Sequence, residues 1–311
     1  MRVVAAIPLY PPHSRVGAWL ATHRFLAHLV GCGHVVDVVT TAADATYRHE
    51  GVDVHPSRTP RDIVGDADVV LTHNGACETW TLEAIHRGIP NVRMVHSFSD
   101  AGLDHLRRTP IDLAVFSSAA VMRAYDADVP SIVCHPVTIG SEHRTTPGDR
   151  VTLVNLSAEK GVELFRLLAL SMPDRRFLAV RGGYGRQERI SAPNCETVPT
   201  TPDMASIWTQ TRILAMPSAS ESWGMVGVEA MASGIPVIAH PSDGLVESLG
   251  DAGTFVDRCD LAGWRGEVER LHDPDEWAAA SERAIARFES IDHEDSLRRF
   301  AHALEQLGGA P

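Results

Sequence analysis

Apolar residues in this chain fall into short runs, each followed by a segment of helical period, and the alternation continues from end to end. In the first half the runs at 3–7, 35–39, 69–72, 92–95, 113–116 and 131–134 read as strands. Segments 19–30, 78–87 and 119–125 repeat their apolar positions every three to four residues and read as helices. A polar stretch rich in Ser, Thr, His, Pro and Gly at 140–150 reads as a linker. The pattern then restarts. Strands are expected at 151–155, 176–180, 197–198, 213–216, 235–239 and 254–256, helices at 162–170, 204–210 and 226–233, and a helical tail from Leu261 onward. Unbroken Val/Ile/Leu runs, without polar alternation, mark strands covered on both faces, which in turn implies parallel sheets flanked by helices.

Two domains follow from this restart: 1–142, and 143–291, with 292–311 as a last helix packing back on the first. A chain of 311 residues can give each a core of its own. Open α/β sheets carry their ligand loops at the carboxyl ends of the strands, so two such domains are expected to meet across a shared cleft.

The densest chemical signal is Glu221-Ser222-Trp223-Gly224-Met225-Val226-Gly227-Val228-Glu229, running on into Ala230-Met231-Ala232-Ser233-Gly234-Ile235-Pro236-Val237. Gly224 reads as a helix entry, and Gly234 with Pro236 as its stop. Glu221 then lies on a loop and Glu229 on the helix. The unpaired N–H groups of the first turn, at Gly224, Met225 and Val226, form an anion site beside a carboxylate. A ligand with phosphate at one end and hydroxyls nearby would suit both.

Lys160 is the only lysine; every other residue among the 28 Lys+Arg is arginine. It stands in Val154-Asn155-Leu156-Ser157-Ala158-Glu159-Lys160-Gly161, between a strand and a helix. An ammonium there is a compact cation suited to a diphosphate, approached differently from the planar fork of an arginine.

Together these segments resemble the donor-binding signatures of retaining glycosyltransferases of the GT-B fold, specifically glycosyltransferase family 4, also called glycosyl transferases group 1. The first resembles Glu, seven residues, Glu, then Ala-Met-Ala-x-Gly-x-Pro-Val; the second is similar to Gly-Arg-Leu-x-x-x-Lys-Gly, with Asn155 in the place of the arginine. The resemblance implies two Rossmann-like parallel-sheet domains facing a central cleft, the second binding a nucleotide-sugar and the first an acceptor. It implies that Lys160 meets the diphosphate, Glu221 the sugar hydroxyls and Glu229 the ribose, with Asn155 leaving one expected cation to be supplied elsewhere, for instance by Arg181. Arg181 and Gly182 open a glycine-rich turn after a strand, which the resemblance sets near the nucleotide. His96, closing the strand at 92–95, matches a histidine near the donor sugar, and Gly17 lies in the loop 8–19 where the family carries paired glycines. The implied reaction moves a hexose-type sugar from a UDP- or GDP-sugar to an acceptor hydroxyl, with no metal and no cofactor. A sugar-nucleotide epimerase of the same fold and a catalytically silent nucleotide-sugar-binding subunit are the alternatives. The sequence does not choose between a small molecule, a glycan and a protein as acceptor.

Composition narrows the field. Net charge of −12 argues against nucleic acid or an anionic membrane as partner. No apolar run reaches transmembrane length, and residues 1–8 are too short for a secretory signal. Five scattered cysteines fit buried thiols in a reducing cytoplasm. The pairs Asp66/Asp68 and Asp126/Asp128 have the form of a metal-binding DxD but read as turns, and the 16 histidines include no HExxH, so no metal is expected. Nothing between Thr41 and Asp66 is diagnostic.

Overall fold

The computed structural model describes residues 1–14, 16–56, 59–73, 78–98, 106, 108–126 and 128–309. The chain divides into two compact units, Met1–Val137 with His293–Pro311, and Thr138–Asp292. Each is a parallel sheet of the Rossmann-like kind, which makes this a GT-B fold.

Among the described residues the first unit holds eight strands: β1 Arg2–Ala6, β2 Val35–Thr40, β3 Tyr47–His49, β4 Val52–Pro56, β5 Val69–His73, β6 Asn91–Val95, β7 Leu113–Phe116 and β8 Ser131–Val133. Their order across the sheet is β3-β4-β2-β1-β5-β6-β7-β8. Every pairing is parallel except β3 against β4. Helices α1 Gly17–Gly31, α2 Glu78–Arg87 and α3 Ala119–Tyr125 belong to this unit. So does the last helix, α10 His293–Gly308. In α10, Leu297, Phe300, Ala301, Leu304 and Leu307 recur at helical spacing and join the core of β1, β2 and α1, with the Phe300 ring 4.9 Å from that of Phe25. Full burial of Phe300 and Leu304 contributes roughly 1.5–3 kcal/mol each, enough to hold a terminal helix in place.

The second unit holds β9 Arg150–Val154, β10 Phe177–Val180, β11 Cys195–Val198, β12 Thr211–Met216, β13 Val237–Ala239 and β14 Thr254–Phe255, all parallel, in the order β11-β10-β9-β12-β13-β14. Its helices are α4 Val162–Ser171, α5 Ala205–Trp208, α6 Met225–Met231, α7 Asp243–Leu249, α8 Leu261–Arg270 and α9 Pro274–Ser290. Asp273 caps α9 through the N–H groups of Asp275 and Glu276, and Pro274 supplies the first helical position, where no N–H is needed. The strand order reverses between β9 and β12. That switch point puts the loops 155–161 and 217–224 on either side of one crevice, the place where such sheets bind ligands.

One expectation changes. The stretch 140–150 is not a free linker: the Ser233 hydroxyl donates to the His143 carbonyl at 2.5 Å, and the Gly148 N–H to the Thr211 carbonyl at 3.0 Å. Its polar side chains hid these ties to a neighbouring helix end and strand. Residues 47–56, which carry no long apolar run, form the hairpin β3–β4, whose turn places Glu50 at φ 46° and Gly51 at φ 82°. Among the described residues no helix is long and apolar enough to cross a membrane.

Candidate functional site

The loop after β9 begins with Asn155 in the left-handed region, φ 71°, a conformation asparagine tolerates better than arginine. Its N–H continues the sheet to Val180, while its side-chain oxygen turns inward and accepts from the Gln187 amide at 2.8 Å. Gln187 ties the whole turn: its oxygen accepts from the N–H groups of Leu156 at 2.9 Å and Gly182 at 2.7 Å. Gly182 packs directly on the Asn155 side chain, so that a β-carbon there would collide with it. Asn155 and Gly182, chosen separately from sequence, are therefore neighbours in one braced turn. Arg181 stands exposed beside them, its N–H bonded to Val198. Gln187 was missed, because a glutamine six residues into a polar loop carries no pattern.

Across the switch point, two loops sixty residues apart in sequence lock together. The Ala219 N–H donates to the Glu159 carbonyl at 2.8 Å. The Lys160 ammonium donates to Glu221 Oε1 at 2.5 Å, and the buried Ser218 hydroxyl reaches the same oxygen at 2.9 Å. The two charged side chains are 16% and 14% exposed, shielded enough for their attraction to survive salt. Burial works to lower the Lys160 pKa, but the Glu221 carboxylate and the Tyr184 phenol beside it outweigh that and hold it above the ordinary lysine value. Lys160 is thus a permanent cation. The Arg258 guanidinium braces the same loop from outside, donating to the Ala158 carbonyl at 3.3 Å.

Three residues beyond Glu221 the chain enters α6. Gly224 sits at φ 78°, ψ 53°, immediately before the helix, and a side chain there would meet Leu245. Trp223 beside it is fully buried. The first-turn N–H groups at Met225 and Val226 precede any intrahelical acceptor, so they are oriented for an anion as expected from helix geometry. Glu229 lies half-buried one turn further on. Gly244, in α7, supports this loop from behind: a β-carbon would run into the Glu221 carbonyl and the backbone of Ser222. Gly244→Ala is expected to cost about 1–3 kcal/mol through overpacking and to push the Glu221 loop forward. Thermal unfolding should show a fall of several degrees, and an unchanged midpoint would mean that the loop yields freely.

Gly17 and His96 belong to the first unit. Gly17 is the first residue of α1. His96 is buried after β6, stacked on His73 with ring centroids 4.9 Å apart, and Trp19 of α1 lies 4.2 Å from His73. The Thr22 hydroxyl donates to the Ala18 carbonyl and so has no hydrogen left for His96 Nε2, which must itself be the donor across their 3.0 Å contact. Burial pulls the His96 pKa down to about 4 and that of His73 well below the ordinary value, so both rings are neutral at neutral pH.

Residues 156–280, which include Lys160, Glu221 and Glu229, match the family described as glycosyl transferases group 1. D-inositol 3-phosphate glycosyltransferase of Mycobacterium marinum is 29% identical over 273 residues, covering 84% of this chain and 51% of that protein. Its counterpart from Corynebacterium kroppenstedtii is 36% identical over 114 residues, 32% of this chain and 25% of that one. The chain spans about half the length of the curated relatives it matches. Among solved structures, sucrose-phosphate synthase from Thermosynechococcus elongatus aligns over 100% of both chains with a TM-score of 0.81 at 14% identity. Anabaena Alr3699/HepE, solved in complex with UDP-glucose, aligns over 98% of this chain and 100% of its own with a TM-score of 0.83 at 16% identity. The structural likeness is to the GT-B fold. Within the second unit, residues 156–280 carry the likeness to glycosyl transferases group 1.

Proposed function

We propose that this protein is a retaining, metal-independent glycosyltransferase that moves a hexose-type sugar from a UDP- or GDP-sugar to an acceptor hydroxyl, acting in the cytoplasm. The observation that carries this reading is the 2.5 Å contact between Lys160 and Glu221 at the switch point. A permanent cation and a carboxylate held together there match a ligand that is anionic at one end and rich in hydroxyls at the other.

The barrier to transfer is charge separation, since the anomeric carbon becomes positive while the diphosphate leaves with negative charge. Lys160 and the first-turn N–H groups of α6 stabilise the leaving group, more strongly in the transition state than in the ground state. Glu221 orients sugar hydroxyls, and Glu229 the ribose. The acceptor oxygen attacks from the face that the diphosphate leaves, and a phosphate oxygen of the leaving group takes the acceptor proton. His96, neutral and with Nδ1 free to accept, holds a sugar hydroxyl. Asn155 braces the loop, so the second cation expected at its position comes from Arg181 or Arg258.

A thermal-shift panel of UDP, GDP, ADP and TDP with their common sugars tests the binding half. A ligand at about 100 times its dissociation constant adds roughly 2.7 kcal/mol to the folded state, and a selective rise with UDP or GDP is expected. The selected donor is then incubated, with and without chelator, alongside acceptors beginning with D-inositol 3-phosphate, which the relatives' names suggest. Transfer with retained anomeric configuration in the presence of chelator is expected. No stabilisation by any nucleotide would sink the proposal. Binding without turnover points to a silent subunit, and an altered sugar without acceptor to an epimerase; either result replaces it.

A further inference from the structure

His23, His49 and Glu50 come together in the first unit from α1 and the tip of the β3–β4 hairpin. His23 Nε2 lies 3.1 Å from Glu50 Oε2. The His23 and His49 rings are 4.6 Å apart and inclined by 31°. One ligand atom from each of the three residues lies within 4.8 Å of the others. On the far side of His23, Nδ1 is bonded to the buried Tyr10 hydroxyl at 2.7 Å. None of these residues belongs to the loops around Lys160.

The arrangement has the chemistry of a metal site in two respects. Ligand atoms on a tetrahedral zinc, at 2.0–2.1 Å from the ion, stand about 3.3 Å from one another. The His23–Glu50 pair already has that spacing, so only His49, half-buried at the hairpin, has to close in. A metal-bound histidine is normally held through its other ring nitrogen by an outer hydrogen bond, and the Tyr10 hydroxyl supplies one. Glu50 stands at positive φ in the turn, and its carboxylate reaches His23 Nε2 on α1.

We propose that His23, His49 and Glu50 bind one divalent transition metal of the zinc class, oriented by Tyr10, leaving a fourth position to water. Such an ion would fasten the hairpin, and through Tyr10 the loop after β1, onto α1. The proposal stands apart from the transferase reading and is tested without it.

The tag-free full chain is stripped with chelator and titrated with zinc by calorimetry, and with cobalt by visible absorbance, which reports coordination number. One ion per chain with a four-coordinate cobalt spectrum is expected. His49→Ala and Glu50→Gln, both at the hairpin surface, should each weaken binding at least about tenfold with an unchanged far-ultraviolet spectrum, because a ligand is lost. Tyr10→Phe should weaken it about 10–100-fold, the usual effect of removing an outer partner. His302→Ala, on the exposed face of α10, should match the parent. Stoichiometry well below one, a six-coordinate cobalt spectrum, or parental affinity in His49→Ala would overturn the proposal.

Discussion

Lys160→Ala is expected to lower kcat/KM for sugar transfer by about 10²–10³-fold, or roughly 2.7–4 kcal/mol of transition-state stabilisation, while the protein stays folded. Two effects add in the same direction. The substitution removes the ammonium that would neutralise the departing diphosphate. It also strips Glu221 of its 2.5 Å cation, leaving a largely shielded carboxylate beside the Ser218 hydroxyl and repelling the phosphates. Lys160→Arg should not restore the rate, because a planar fork cannot reach Glu221 in the space an ammonium fills. The two effects can be separated. If repulsion by the orphaned Glu221 contributes, Lys160→Ala with Glu221→Gln should recover part of what Lys160→Ala loses, a coupling that a double-mutant cycle reads directly. The measurement is nucleoside diphosphate release with the donor selected by the binding panel. Turnover near that of the parent in Lys160→Ala would remove the lysine from the mechanism.

What made that site legible was its locality. The elements that build it are apolar strands with glycine-marked helix ends, and each motif holds its residues within nine positions. The strand runs at 3–7, 69–72 and 213–216 are visible because parallel strands buried on both faces need unbroken aliphatic sequence. Lys160 and Glu221 each stood out alone, one as the sole lysine and the other by its spacing from Glu229. Their contact did not, because it depends on strand order: only the adjacency of β9 and β12 brings the two loops together. Gln187 was invisible for the opposite reason. Its function is to satisfy the backbone N–H groups of Leu156 and Gly182 and the side chain of Asn155, and any polar loop residue could in principle do that. The hairpin β3–β4 escaped because three-residue strands such as Tyr47–His49 offer too few positions for a period to register. His23 and His49 are linked only through that hairpin, so their approach could not be read from spacing.

The larger effect on stability should come from acid. His96 has a folded pKa of about 4 and His73 one well below the ordinary value, in each case chiefly because burial disfavours the charged ring. Unfolded, both titrate near 6.5. Between pH 6.5 and about 4 the unfolded chain therefore binds more protons than the folded one, and stability must rise with pH across that window and fall as the solution is acidified. Above pH 6.5 both states are neutral and the penalty is absent. At about 1.36 kcal/mol per pH unit, His96 alone costs roughly 3 kcal/mol by pH 4, and His73 adds to this in the same direction. That is a large share of the roughly 5–15 kcal/mol that holds a typical protein folded. Carboxylates titrate in part of the same range, so the test compares denaturation midpoints at pH 7.0, 5.5 and 4.5 for the parent and for His73→Phe with His96→Gln. The double variant starts lower at pH 7, since it disturbs the stack between β5 and β6, but its midpoint should fall less steeply with acid. Parallel slopes would mean that the two rings gain protons in the folded protein as readily as in the unfolded chain. The burial, the stacking and the Thr22 contact would then have no part in keeping them neutral.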